Sequence, residues 1–387
     1  MDADVVVIGG GPAGCSAAIR LVQAGHDVLV LERRAESAEG DERIESGELL
    51  APFTQIECQQ IGIEFTGPWV LDRMRAVRNV YPDLSWTYHE LPESFSYVNV
   101  DRGGFDAALR ARLRAVGGRI AWGQRVTEVD AQPNAVVLRT AEGMEVRAPI
   151  AIDAGGRHAP SGRIFQLKTE DPEFRQIAIA LCFSDFPDAA VGYWDRHLYG
   201  ERGTTISGAR IRPGLFRLVL EADLAEKQAD RAKPEAFFRR VAERFDPWIA
   251  SRLERAPRLG EPWAMAPLAY RVTSVARDRL LLAGDATGYL SPFTGMGCEF
   301  AMRMGRLAAE ATHRALAAGD CSVNAFASYI DERRSELEMA VGHLRHMLRN
   351  LRDRERLLRA ATDDVLRGEI FGPPFATVTD RGTLVGS

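Results

Sequence analysis

Val5-Val6-Val7-Ile8-Gly9-Gly10-Gly11-Pro12-Ala13-Gly14, followed through Cys15–Ala24 to Val28-Leu29-Val30-Leu31-Glu32, decides the fold of this chain. A short, mostly β-branched apolar run predicts a strand buried on both faces. The next stretch has apolar residues at helical spacing until Gly25, and a second apolar run then ends in an acid. Strand, G-x-G-x-x-G turn, helix, strand and acid, in that order, are the pattern of a dinucleotide-binding unit. A glycine triplet alone marks only a tight turn; here the context is complete.

Each residue has a physical task. Gly9 permits the tight turn, Gly11 lets a pyrophosphate approach the backbone, and Gly14 lets the helix pack close on the strand. Pro12 and Ala13 lie within that turn as candidate cofactor-binding residues, and the helix that follows offers unpaired N–H groups and a positive end to the phosphates. Glu32 is placed to accept hydrogen bonds from ribose hydroxyls. Arg33 and Arg43 lie just beyond, where a cation can meet adenosine or pyrophosphate or simply lie in solvated surface.

The 387 residues exceed one ordinary core, and the net charge of −5 gives no sign of nucleic-acid binding. The five cysteines are scattered without metal-ligand spacing, as free thiols in a reducing compartment would be. No apolar run is long enough to span a bilayer, so a cytoplasmic enzyme is the expectation, with oligomeric state open.

Further along, strands are expected at 74–80, 84–89 and 95–100, in a stretch whose aromatics (Trp69, Tyr81, Trp86, Tyr88, Phe95, Tyr97) read as sheet core. A helix opens near Gly103-Gly104-Phe105-Asp106, and short strands follow to Asp153-Ala154-Gly155-Gly156, which is either a cofactor edge or an ordinary turn. Strands are expected at 175–183 and 216–221, with less regular chain over 192–208 and helices over 234–244 and 247–255. His197, among Tyr193, Trp194 and Tyr199, suits either acid–base work or a structural role.

Leu280-Leu281-Leu282-Ala283-Gly284-Asp285-Ala286 predicts a buried strand and turn, and Gly295 and Gly297 open a helix over 298–316. Bare N–H groups there can meet an anionic or electron-rich ring, and Asp285 can accept hydrogen bonds from a polyol. The arginine-rich stretch 345–359 reads as a solvated helix rather than a docking face for an acidic partner or membrane surface. The tail from Gly372 reads as loosely ordered.

Together these stretches resemble the FAD-dependent oxidoreductases of the aromatic hydroxylase type, whose relatives include geranylgeranyl reductases and flavin-dependent halogenases. Gly9–Gly14 with Glu32 is similar to their ADP site, Asp101-Arg102 through Phe105-Asp106 to their Arg-x-x-Phe-Asp helix entry, and Gly284-Asp285-Ala286 through Pro292, Gly295, Met296 and Gly297 to their ribityl and flavin-ring loop. The resemblance also implies that Val126 sits where backbone meets adenine.

The implied fold is α/β: a Rossmann-like FAD-binding domain (1–66, 101–165, 264–320) interleaved with a mostly antiparallel substrate domain (67–100, 166–263), then C-terminal helices (321–387). The implied activity is hydroxylation of a small, aromatic substrate by a flavin monooxygenase using NADH or NADPH and oxygen through a flavin C4a-hydroperoxide. Reduction of carbon–carbon double bonds is the alternative, favoured by Thr287-Gly288 after Gly284-Asp285-Ala286 and by the 292–297 loop. A non-catalytic binding protein on the same fold is a third. Gly214-Leu215-Phe216-Arg217-Leu218-Val219 stands where a halogenase would carry Trp-x-Trp-x-Ile-Pro, which argues against halogenation.

Overall fold

The computed structural model describes residues 2–36, 49–93, 96–187, 193–288 and 297–384. A six-stranded sheet carries the first motif, in the order Ala276–Arg277, Leu280–Leu282, Ile150–Asp153, Val5–Ile8, Val28–Glu32, Arg119–Trp122. All neighbours run parallel except the first pair. Val5–Ile8 is buried at every position, as expected of a strand covered on both faces.

On one face lies the helix Pro12–Gln23, begun by Gly11 and by proline at its first turn. It is packed under the long helix Gly297–Ala318. At Gly305 a Cβ would fall 2.3 Å from the Ala13 carbonyl oxygen, so only glycine allows this approach. The Ser16 hydroxyl donates across to the Met302 carbonyl at 2.8 Å. The other face is covered by the antiparallel strands Val126–Ala131, Val136–Thr140 and Glu145–Ala148.

The second large sheet has eight strands, in the order Arg258–Met265, Gln176–Phe183, Leu215–Asp223, Thr205–Arg212, Tyr193–Leu198, Ala76–Val80, Ser85–Glu90, Asp380–Thr383. Its pairs are antiparallel except Tyr193–Leu198 with Ala76–Val80. On one face Leu218, Leu220, Ile179 and Leu181 are buried under the helices Pro234–Phe245 and Pro247–Arg255. The opposite face presents Ala178, Ala180, Arg217, Val219 and Glu221, the alternation that a strand imposes.

Several expectations are corrected. The 192–208 stretch holds two regular strands with a turn at 199–204. Their irregular look comes from glycines such as Gly200 and Gly203, both with positive φ. Arg258–Met265 is a further strand that the sequence reading left out, because its half-exposed edge position weakens the alternation. The 74–80 run is broken into Val70–Met74 and Ala76–Val80, which join different sheets. The tail is not loose, since Asp380–Thr383 pairs with Ser85–Glu90 and Phe375 is buried. Phe95 lies outside the described residues. Among those described, no helix is long and apolar enough to cross a membrane, and no group of acids, histidines and cysteines could hold a metal ion.

Candidate functional site

A continuous cleft of about 640 Å³ runs between the two large sheets, and most of the residues singled out from sequence line it. At one end stand Gly9, Gly11, Pro12, Ala13, Glu32, Arg33, Arg102 and Val126; further in come Ala154, Gly155, Gly156, Asp285 and Gly297. Arg43, Pro292, Gly295 and Met296 lie outside the described residues. Gly14 is not on the cleft wall. It sits behind it, where a Cβ would fall 1.9 Å from the Gly9 carbonyl oxygen.

The first end is preorganised for a dinucleotide. Glu32 accepts hydrogen bonds from the Gly10 N–H at 2.7 Å and the Arg34 N–H at 2.9 Å, so its carboxylate is fixed before any ligand arrives. A Cβ on Gly11 would meet nothing within 4 Å, and no side chain caps this helix N-terminus. Open space over free N–H groups is the cradle that a pyrophosphate needs. Arg110, itself on the cleft wall, donates to the Gly10 carbonyl at 3.1 Å and lies over Trp122. Positive charge concentrates at the mouth: burial, and then Arg157, Lys168 and Arg33, hold the His158 imidazole below its ordinary range. An anionic ligand would relieve that repulsion.

The middle of the cleft is set by the turn Gly284–Thr287. Burial pushes the Asp285 carboxyl up to about 6, against the pull of Arg102 and Arg157. The turn is pinned from behind. The Tyr270 hydroxyl donates to the Asp285 carbonyl, and Arg333 of the helix Ala327–Leu351 donates to the Thr287 hydroxyl at 2.9 Å and carbonyl at 3.0 Å. Arg102 is held by Asp106 at 3.0 Å. Asp153 does not face the cleft; its carboxylate is wholly buried and accepts from the Gly155 and Ser161 N–H groups. The Asp153–Gly156 stretch is thus a cleft edge made by backbone, with the acid acting as its internal brace.

These residues fit FAD: a phosphate cradle, a fixed acid for ribose hydroxyls and a buried acid for a polyol lie in order along one cleft. Arg333 acts here only by positioning the Asp285 turn. Arg333→Met is expected to weaken FAD binding about tenfold, the loss of a charged hydrogen bond. Arg333→Lys would restore part of it, as read by flavin fluorescence titration.

The other end was largely missed from sequence. Its floor is small (Ala178, Ala180, Ser207, Gly208, Ala209), its walls are Trp194, Trp263, Val219 and Met265, and its polar groups are Arg217 and Glu221. Glu221 is 8% exposed, accepts only a long hydrogen bond of 3.4 Å from the Thr205 hydroxyl, and is pushed by burial up to about 8. The signal was present in Phe216-Arg217-Leu218-Val219-Leu220-Glu221, where alternation puts a lone acid on the face opposite the leucines. His197 is not in the cleft. Its Nδ1 is hydrogen-bonded to Asp246 at 2.6 Å, 1% exposed, on the helix-covered face, so it ties helix to sheet.

Glu221 and Glu299, the latter raised by burial to about 7, both have native values above the ordinary 4.5. The native state therefore holds protons that the unfolded chain has released. Their contribution is fully present below about pH 4.5 and is lost as pH rises through about 7 and 8. Urea unfolding at pH 6 and pH 9 should show the lower midpoint at pH 9, and Glu221→Gln should narrow that gap.

A parallel sheet with this glycine turn, a second sheet roofing the same cleft, and a cleft that fits FAD define an FAD-dependent oxidoreductase. The chain belongs to the FAD binding domain family, whose model matches residues 82–341, while residues 4–81 match the FAD dependent oxidoreductase family. It is 26% identical over 365 residues to the 1H-pyrrole-2-carbonyl-[peptidyl-carrier protein] chlorinase of Pseudomonas fluorescens, covering 85% of this chain and 79% of that one. It is 27% identical over 347 residues to the digeranylgeranylglycerophospholipid reductase of Methanoculleus marisnigri, covering 86% and 82%. It is 28% identical over 331 residues to the menaquinone reductase of Mycobacterium tuberculosis, covering 80% and 76%. Among solved structures, the flavin-dependent brominase Bmp2 shares the fold with a TM-score of 0.80 at 21% identity, over 98% of this chain and 94% of that one.

Proposed function

We propose that this oxidoreductase reduces a carbon–carbon double bond of an apolar organic substrate, with NADH or NADPH as the donor to its flavin. The observation that carries the reading is Glu221, a carboxylic acid buried at the substrate end of the cleft with one long hydrogen bond from Thr205, where burial pushes it up to about 8. Adding hydrogen across a double bond takes a hydride on one carbon and a proton on the other. Bound FAD, once reduced, supplies the hydride. The chain supplies the proton: the Glu221 carboxyl gives its hydrogen to the second carbon, and the carboxylate left behind is reprotonated from solvent. Burial makes that carboxylate costly, which keeps the acid form poised for donation. Trp194, Trp263, Val219 and Met265 make this end apolar, and the small residues of the floor leave room for a flat or extended chain. The similarity to a digeranylgeranylglycerophospholipid reductase supports a reductase reading, and the similarity to a menaquinone reductase supports an apolar, prenylated substrate class.

Oxygen-dependent chemistry is the second reading, favoured by the similarity to a chlorinase. It points to halogenation rather than the hydroxylation expected from sequence. Against it stands the lack of a Trp-x-Trp-x-Ile-Pro pattern in residues 214–219, of which Arg217 and Val219 line the cleft. The deciding experiment mixes the photoreduced flavoprotein, without oxygen, with polyprenyl lipids and menaquinone. Reoxidation of flavin is expected with a product two hydrogens heavier whose new hydrogens lie on the former double-bond carbons of the prenyl chain, and for menaquinone not on the quinone oxygens. Turnover that needs oxygen, with a halogenated product when bromide is added, would overturn the proposal in favour of the second reading.

A further inference from the structure

The strand Leu215–Asp223 runs along the substrate end of the cleft and sets two ionisable groups on its wall, Arg217 and Glu221, with Val219 between them. Phe216, Leu218 and Leu220 are buried on the other face, whereas Arg217 and Val219 keep part of their surface, as side chains on the wall of an open cavity do. Register gives this ridge a trough on either side. Arg217 stands between Cys182 and Ala209, and Val219 between Ala180 and Ser207. Trp194 bounds one trough beyond Ala209, and Trp263 bounds the other beyond Ala180. Small neighbours therefore leave space beside the Arg217 side chain, within a cleft of about 640 Å³.

Charge then fixes the kind of ligand. Among the described residues, Arg217 is the one cation that the eight-stranded sheet contributes to the cleft wall, and Glu221 is the one acid. They stand four residues apart on one strand, about 13 Å at about 3.3 Å per residue. The Glu221 carboxyl responds to burial and to its bond with Thr205, not to the Arg217 charge, so the acid is not the counter-ion of this cation. Arg217 has a contact of its own within the protein, but a guanidinium carries a fork of N–H donors that holds more than one acceptor. The walls around it are apolar, and beside apolar walls the attraction between a guanidinium and an anion is stronger than in bulk water.

We infer that the substrate is an amphipathic anion, whose carboxylate or phosphate group sits on Arg217 and whose apolar chain lies in the troughs past Val219 toward Glu221. Along this strand the cleft ends at Arg217, because Leu215, the next residue on that face, is buried in an apolar cluster with Met74 and Tyr97. The anionic group is therefore one terminus of the ligand and not its middle. Placing the reacting double bond beside Glu221, about 13 Å from the anion, rests on the reductase reading. The anion site itself does not depend on which reaction the flavin drives.

The test is calorimetric titration of the full-length, FAD-loaded, oxidised protein with octanoate, octyl phosphate and octanol. With flavin bound, the phosphate cradle at the glycine turn is filled and does not compete for the anions. At least one anion is expected to bind about tenfold or more tighter than octanol. The tighter of the two identifies a carboxylate or a phosphate ligand, and either supports the site. Arg217→Gln should erase the anion advantage and leave octanol affinity unchanged, which shows that the cleft is intact. Arg217→Lys, which keeps the charge without the fork, should recover part of the advantage. Anions that bind no tighter than octanol or do not bind at all, or an anion advantage that survives Arg217→Gln, overturn the proposal. No turnover is measured, so a failure of double-bond reduction would remove the reductase reading and leave this result standing.

Discussion

Gly14→Ala is expected to purify without flavin and to unfold far more readily than the wild type. Helix propensity alone predicts the opposite, since alanine is about 1 kcal/mol better than glycine inside a helix. Sterics decides the sign. The new Cβ would lie 1.9 Å from the Gly9 carbonyl oxygen and 3.3 Å from Val7 Cγ1. The oxygen cannot retreat, because Gly9 is pinned in turn: its N–H donates to the Leu31 carbonyl at 2.9 Å, and its own missing Cβ would fall 2.7 Å from the Ala154 carbonyl oxygen. The helix must lift off the sheet by more than an ångström, which also breaks its contact at Gly305 with the long helix above. Overpacking of a rigid backbone contact costs about 3 kcal/mol or more. The displaced N-terminus then no longer aims its N–H groups into the cleft. Gly25→Ala is the control, because φ is +91° there but no atom lies within 4 Å of the new Cβ. It should lose about 1 kcal/mol and keep its flavin. Full flavin content in Gly14→Ala would show that the close approach is not required.

Glu221→Gln is expected to slow substrate reduction at least about a hundredfold, the usual contribution of a positioned acid. Flavin content and spectrum should stay as in the wild type. The amide keeps the shape and neutrality of the protonated acid and still accepts from Thr205, so packing is preserved while the transferable proton is lost. The pH profile separates this role from a structural one. With a carboxyl raised to about 8, the active acid form is present below that pH, so wild-type rates should fall above about pH 8. The variant's residual rate should lack that limb. A variant with wild-type rate and the same alkaline fall would remove Glu221 from the reaction and return the proton to solvent or to another group.

How much of this was legible beforehand follows from how local each feature is. The dinucleotide half was readable because its tasks are done by neighbours in sequence. Gly9, Gly11 and Gly14 are used for their lack of a side chain, Glu32 sits at the next strand's end, and Asp285 lies in the turn just after the strand Leu280–Leu282. Each is fixed by backbone geometry over about 30 residues. The pairing of Val5–Ile8 with Ile150–Asp153, and of that strand with Leu280–Leu282, then brings the separate motifs to one cleft.

The substrate half was not readable, because its members are neighbours only across strands. Ala178, Glu221 and Thr205 share a row of the second sheet although they are far apart in the chain, and that row is set by register. A one-residue slip would turn Glu221 into the hydrophobic core and Leu220 into the cleft. The same holds for His197, whose bond to Asp246 appears only when the helix Pro247–Arg255 is seen packed on the sheet. Sequence by itself determined the flavoprotein fold and the dinucleotide end, since glycine turns and buried parallel strands are specified by local sterics and hydrophobic pattern. Tertiary structure alone decided which acid is buried on the cleft wall and which histidine ties helix to sheet, because burial and desolvation belong to the assembled sheet and to no single stretch of chain.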